Sequence, residues 1–257
     1  MHAHDAAPLR LITVSFSHFC EKARWALDRA NLAYREESHV PVFSWPATFG
    51  AGGKRTVPVL VTPGKTVSDS TDILRWVDGA SHAPPLFPGG EAGRTVAEWE
   101  EDFDRRLGPA TRRLVYFHLL GDQPAAERLL GSAGGVWQKR VLHLVYPALR
   151  ALMVRGLNIR PETAARSRTV IDETFARVAA TLADGRRYLV GDRLTAADLT
   201  FAALAVPVLV PDQLSDVLPA RADVPPAVRE LVEHYRSTPA GSFALRLYAE
   251  ERARRMC

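Results

Sequence analysis

Between an apolar run and an amphipathic helix, this chain places the polar tetrapeptide Ser17-His18-Phe19-Cys20. Residues 9–14 mix leucine with β-branched side chains, as a buried strand does. After the tetrapeptide, Phe19, Ala23, Ala26, Leu27 and Ala30 recur at three- and four-residue steps, which is one face of a helix. A strand that feeds a helix through a polar turn aims the helix's first N–H groups and positive dipole end at that turn. A thiolate held there is stabilised, and such positions draw a thiol pKa from about 8.5 toward roughly 3.5–7.5. The spacing is that of Cys-x-x-Cys, but its first position is a serine, Ser17.

Strand and helix signals go on alternating through roughly the first 80 residues. Asn31 is a helix stop, residues 33–40 predict a second strand, and 41–54, rich in Pro, Gly and aromatics, predict irregular chain. Residues 57–61 form a short strand opened by Pro58, Pro63-Gly64 a turn, and 66–68 another strand. Asp69 or Ser70 then caps a helix carrying Ile73, Leu74, Trp76 and Val77. The order βαβ then ββα suits a small mixed sheet covered by helices. Residues 79–93 predict an exposed connector.

Beyond it the signals are helical, over 95–119, 123–130, 136–154, 161–183, 196–206, 226–237 and 241–254. Tyr146-Pro147 predicts a kink. Thr195 and Asp198 have the spacing of a capping box, with Leu194 and Leu199 as its apolar staple. The expected domains are 1–82, a sheet domain, and 94–257, an all-helical one.

Charge and cysteine content exclude several classes. The 33 basic residues are interspersed with 29 acidic ones for a net +4. Arg112-Arg113 and residues 252–255 therefore read as solvated helix faces, and no nucleic-acid partner is expected. No helical run reaches the roughly 18 apolar residues of a membrane span. Residues 1–5 lack a secretory pattern, and Cys20 and Cys257 make no disulfide framework, which predicts a cytoplasmic protein. No His/Cys/carboxylate group has metal-ligand spacing, and His2 and His4 read as chain terminus, so no metal is expected.

Four segments taken in order resemble the cytosolic glutathione transferase superfamily, as a serine-type, bacterial-like member. They are residues 17–27, Thr56-Val57-Pro58-Val59-Leu60, Ser68-Asp69-Ser70-Thr71-Asp72-Ile73-Leu74, and Tyr188-Leu189-Val190-Gly191-Asp192 running into the Thr195–Asp198 cap. The resemblance spans nearly the whole chain. It implies an α/β thioredoxin-like N-terminal domain with a four-stranded mixed sheet, an all-α C-terminal domain, glutathione as co-substrate, and a homodimer.

The resemblance also assigns roles. Ser17 would donate a hydrogen bond to the glutathione sulfur and favour its thiolate. Read from the residues alone, Ser17 is equally the N-cap of its helix; Ser15 is a weaker rival. Val57, before a cis Pro58, would pair its backbone with the tripeptide, and Asp69 with Ser70 would hold the γ-glutamyl end. Many relatives carry a lysine directly before the Val-Pro; here Thr56 stands there, with Arg55 and Lys54 upstream as substitutes. In glutaredoxin-like motifs the first cysteine is the nucleophile, so Cys20 alone reads as a small buried hydrophobe, with a redox role as the alternative. The second-substrate pocket would draw on Tyr116 and Phe117, with His18 at its mouth or idle on the surface, and Trp99 or Trp137 as further candidates. Trp45 and Phe49 either wall the site or pack. Residues 119–160 are longer than a compact family member needs, and would extend the pocket, form a lid or build a dimer contact.

The expected function is transfer of an activated glutathione thiolate to a small hydrophobic electrophile, or isomerisation or dehalogenation by the same equipment. Two alternatives stand beside it. One is a non-catalytic protein of this fold that binds a hydrophobic ligand or partner. The other is a thiol–disulfide oxidoreductase working through Cys20, against which Ser17 counts.

Overall fold

A computed structural model describes residues 8–252, so His2, His4, Cys257 and residues 253–255 lie outside the described residues. The N-terminal part alternates β1 (Leu9–Thr13), α1 (His18–Arg29), β2 (Tyr34–Ser38), α2 (Trp45–Gly50), β3 (Val59–Val61), β4 (Thr66–Ser68) and α3 (Ser70–Ala80). The sheet order is β2-β1-β3-β4, with β1 parallel to β2 and antiparallel to β3. Flanked on both sides, β1 reads as a near-continuous apolar run, and Leu11 and Ile12 are fully buried. Helix α2 corrects the irregular reading of 41–54. Pro46 lies in its first turn, where a missing N–H is harmless, and Gly52 turns at φ +77° just past its end. The same residue types punctuate loops and helix ends, and composition does not separate the two.

The segment 81–89 is mostly exposed or half-buried, as expected of a connector, but it is anchored around Leu86. Leu86 is buried, and the Leu86 and Phe87 N–H groups each donate to the Asp78 carboxylate at 2.8 Å. The Leu86 carbonyl accepts from Ala196 N–H at 2.8 Å, fastening the segment to the helical part.

That part begins with α4 (Gly90–Asp102), a π turn over Phe103–Leu107 and α5 (Gly108–Leu119), one stretch that starts before the expected residue 95. It continues as α6 (Gln123–Ser132), α7 (Val136–Gly156), α8 (Pro161–Thr181), α9 (Ala196–Leu204), α10 (Val206–Leu209), α11 (Pro226–Arg236) and α12 (Pro239–Glu250). Helix α9 is buried along its whole length. The Asp198 carboxylate closes its start, accepting from Thr195 N–H and Thr195 O–H, both at 2.8 Å, and from Leu189 N–H at 2.7 Å. Burial nonetheless lifts this carboxyl to about 6. Leu194 and Leu199 are both buried beside it. No described helix is long and apolar enough to cross a membrane.

Two apolar cores result. The larger joins the sheet to the helices through Trp25, Phe103, Phe201 and Tyr248. The smaller belongs to the long 119–160 segment: Leu130, Leu142 and Tyr146 pack with Val14 and Phe16, the chain leading into α1, and with Val40. Tyr146 O–H and Arg150 Nε–H both donate to the Leu120 carbonyl, at 3.0 and 2.7 Å, while Gln138 Oε1 accepts from Val40 N–H at 2.9 Å. Helix α7 continues through Pro147, which is exposed. The segment therefore supports the turn ahead of α1 from behind.

Charge also enters the interior on α1, against its reading as a one-faced helix. Lys22 is fully buried and donates to Glu100, to Asp104 at 2.7 Å and to Thr71 at 3.0 Å. Arg24 meets Glu21 at 3.0 Å, Glu36 at 2.9 Å and the Ser15 carbonyl at 2.7 Å. Arg252 closes the group on Glu21 at 2.7 Å and Asp28 at 2.8 Å, which corrects the solvated reading of that arginine. Arg113 is likewise engaged, with the Leu157 carbonyl at 3.1 Å and Ser167 Oγ at 3.0 Å. Each buried cation here has an anion or carbonyl opposite it, as burial demands.

Candidate active site

Sheet register brings the sequence motifs together. Ile12 pairs with Val59, and Val59 with Ser68. The residues just beyond these pairs are the β1–α1 turn, Val57-Pro58 and Asp69-Ser70, so all three meet at one end of the sheet. The Val57-Pro58 bond is cis, with Val57 half-buried and Pro58 buried. Ser17 is the half-buried N-cap of α1, and its N–H closes the turn on the Val14 carbonyl at 2.9 Å. Its Oγ accepts from Cys20 N–H over a long 3.5 Å, which leaves the hydroxyl proton for another acceptor. Asp69 sits at φ +111°, a strained backbone for a non-glycine residue, and its carboxylate accepts from Thr71 N–H at 2.8 Å. Ser70 is buried in the first turn of α3. Lys54, Arg55 and Thr56 are exposed on the approach to Val57, with the Arg55 guanidinium 5.2 Å from the Trp45 ring.

Beside this end a cavity opens between the two parts. Phe16 and His18 reach it from the β1–α1 turn; Arg112, Val115, Tyr116 and Leu119 reach it from α5. Leu129 of α6 closes one side, and Val210, Leu218 and Val224, in and near the 210–225 loop, close another. The walls are apolar apart from His18, Arg112 and Tyr116. His18 is buried, with Nε2 3.0 Å from the Gly108 carbonyl. Burial and then Arg112 push its pKa down to about 3, so the ring is neutral and donates that hydrogen bond. Burial pushes the Tyr116 hydroxyl up to about 12. A Cβ at Gly108 would lie 2.6 Å from Cζ of Phe19, so any larger residue there would have to displace that ring.

The family model of the glutathione S-transferase N-terminal domain matches residues 11–85, and that of the C-terminal domain matches residues 161–234. The chain belongs to the glutathione transferase superfamily. Solved structures share the fold. A glutathione S-transferase from Methylobacterium radiotolerans, in complex with glutathione sulfonate, is 22% identical with a TM-score of 0.53, over 93% of this chain and 95% of that one. One from Rhodospirillum rubrum is 19% identical with a TM-score of 0.57, over 94% and 98%. A third, from Methylobacillus flagellatus with GSH bound, is 14% identical with a TM-score of 0.54, over 92% and 98%. No curated protein matches the chain.

Within this glutathione transferase fold several sequence expectations need correction. His18 is neither idle nor on the surface. Phe117 does not line the cavity: it is exposed and meets the His118 ring edge-on at 5.0 Å, because one residue past Tyr116 turns a helix by about 100°. Trp99 packs on Phe103 at 5.2 Å beneath Arg177, and Trp137 is 60% exposed with its edge toward Phe43. Trp45 is half-buried and Phe49 exposed. Cys20 is fully buried and burial pushes its thiol up to about 11, conditions unsuited to a nucleophile. Ser15 is buried with its Oγ unpartnered. The sequence reading missed Phe16, Gly108, Arg112 and Leu129. Gly108-Pro109 inside a long helical run is the signal that could have marked this place, since both residues are costly there. Among the described residues no cluster of three or more His, Cys, Asp or Glu could hold a metal.

Proposed function

We propose that this chain holds glutathione across the sheet end, keeps its sulfur as a thiolate with Ser17, and delivers it to a small hydrophobic electrophile in the adjoining cavity. The observation that carries the reading is the Ser17 hydroxyl: it caps α1 through a long 3.5 Å contact to Cys20 N–H and lies in sequence between two cavity-lining residues. A hydroxyl donor beside a helix's positive pole stabilises an anionic sulfur without itself ionising. In this reading the Val57 backbone pairs with the tripeptide, Asp69 takes the α-amine, Ser70 takes the γ-glutamyl carboxylate, and Lys54 or Arg55 reaches the glycine carboxylate. Proximity of two bound reactants then supplies much of the rate, with no covalent enzyme intermediate. Isomerisation and dehalogenation use the same thiolate. The burial of Cys20 argues against the oxidoreductase alternative. The working form is a cytoplasmic homodimer in this reading, and sedimentation at twice the chain mass checks the assembly.

The test pairs glutathione titration calorimetry with turnover of a chromogenic aryl halide. Ser17→Ala is expected to lower kcat about a hundredfold, as loss of one preorganised donor does, while glutathione affinity changes less than about threefold. Unchanged turnover in Ser17→Ala removes the assigned role. Glutathione binding without turnover of any electrophile turns the reading into that of a binding protein.

A further inference from the structure

Among the residues that line the cavity, one cation, Arg112, has no anion opposite it. We propose that Arg112 makes this cavity a site for hydrophobic acids, with an apolar body inside and a carboxylate on the guanidinium. The inference rests on the cavity being the second-substrate pocket, and it names the substrate class.

Among the described residues Arg112 makes no hydrogen bond or ion pair; its guanidinium has the Phe19 ring, 5.8 Å away. No Asp or Glu lines the cavity. The two other polar groups there are neutral, His18 with its Nε2 on the Gly108 carbonyl and Tyr116 as a phenol. Arg112 is thus the one formal charge among the lining residues. Burial draws its pKa down, yet a guanidinium remains charged at neutral pH. A cation partly removed from water with nothing opposite it has lost hydration without compensation. The same chain pairs Arg24 and Arg252 with two carboxylates each. A ligand carboxylate would supply at Arg112 the anion that the fold supplies at those arginines, its two oxygens able to accept two parallel N–H···O bonds from the planar fork. The surrounding Phe, Val and Leu side chains suit the rest of such a molecule. A neutral ligand of equal shape leaves the guanidinium unpaired, and selection follows from that difference.

The test needs no turnover. Calorimetric titration of the full chain with 3-phenylpropionate and with 3-phenylpropanamide, alike in shape and different in charge, reads the preference directly. The acid is expected to bind about tenfold or more tightly, the worth of a charge-assisted hydrogen bond. Arg112→Gln is expected to bring the ratio to about one. Arg112→Lys keeps the charge without the fork and is expected to give an intermediate ratio; it carries the test if the glutamine variant does not fold. Equal affinities in the unmodified chain, binding of neither probe, or a preference that survives Arg112→Gln in folded protein overturns the proposal. So does a variant that loses glutathione affinity alone, which would assign the guanidinium to the tripeptide. Acid preference without any glutathione turnover sinks the transferase reading and leaves this one. Turnover of neutral electrophiles with equal probe affinities does the reverse.

Discussion

Two ends of α1 handle charge in opposite ways. Along its body, Lys22 is buried against Glu100 and Asp104 and Arg24 against Glu21 and Glu36, so both buried cations are neutralised by carboxylates. At its N-terminus, Arg112 from α5 lines an apolar cavity with the Phe19 ring 5.8 Å away and no carboxylate among the lining residues. Lys22 ties α1 to the helical part through Glu100 and Asp104, while Arg24 is held within the sheet part by Glu21 of α1 itself and Glu36 of β2. The N-terminal arrangement leaves an electrostatic need unmet, and an unmet need is what a ligand can satisfy. The contrast separates charge that serves the fold from charge that serves a site.

The largest blow to this comparison would come at Lys22. Lys22→Met leaves the buried Glu100 carboxylate without its cation, and urea denaturation is expected to show a loss of about 3–5 kcal/mol, as for other broken buried pairs. A loss below about 1 kcal/mol would mean that the interior pairing is ornamental. Per pH unit, a smaller effect is expected at His18. Native His18 resists protonation down to about 3, whereas the unfolded ring takes a proton below its ordinary 6.5. The unfolded state thus binds more protons across that window, and stability falls as pH drops through it. The slope attributable to this ring is about 1.4 kcal/mol per pH unit, and His18→Asn should remove it from denaturation midpoints measured at several pH values. The smallest effect belongs to Arg112→Gln, which gives up no hydrogen bond. Its stability is expected to stay within about 0.5 kcal/mol or to rise slightly, in the same urea experiment. A large destabilisation there would show that Arg112 has a structural partner after all, and the two ends of α1 would no longer differ.

Much of the candidate site was legible in the sequence. The hydroxyl at Ser17, the Val57-Pro58 pair and Asp69-Ser70 each sit at the start or end of an element whose residues announce it. Register then carries all three to one end of the sheet without further instruction. The cavity was far less legible. Tyr116 and Phe117 look equivalent in the sequence, yet one lines the cavity and the other faces solvent, because helix rotation is settled by packing against neighbours. Trp99 and Trp137 were plausible on aromatic content alone, which says nothing about direction. Arg112 was read with Arg113 as solvated surface, since a pair of arginines has no local feature that reports burial.

Local rules therefore determined what this chain could settle by itself: strand and helix order, the Ser17 and Asp69 caps, the Thr195–Asp198 helix start, and hence the family of folds. These follow from periodicity and from backbone groups that must find partners within a few residues. Only the tertiary structure decided which charges are neutralised and which are left open, because Lys22 finds Glu100 and Asp104 far along the chain and Arg112 finds no one. Long-range partners cost nothing to write into a sequence and leave no periodic trace in it.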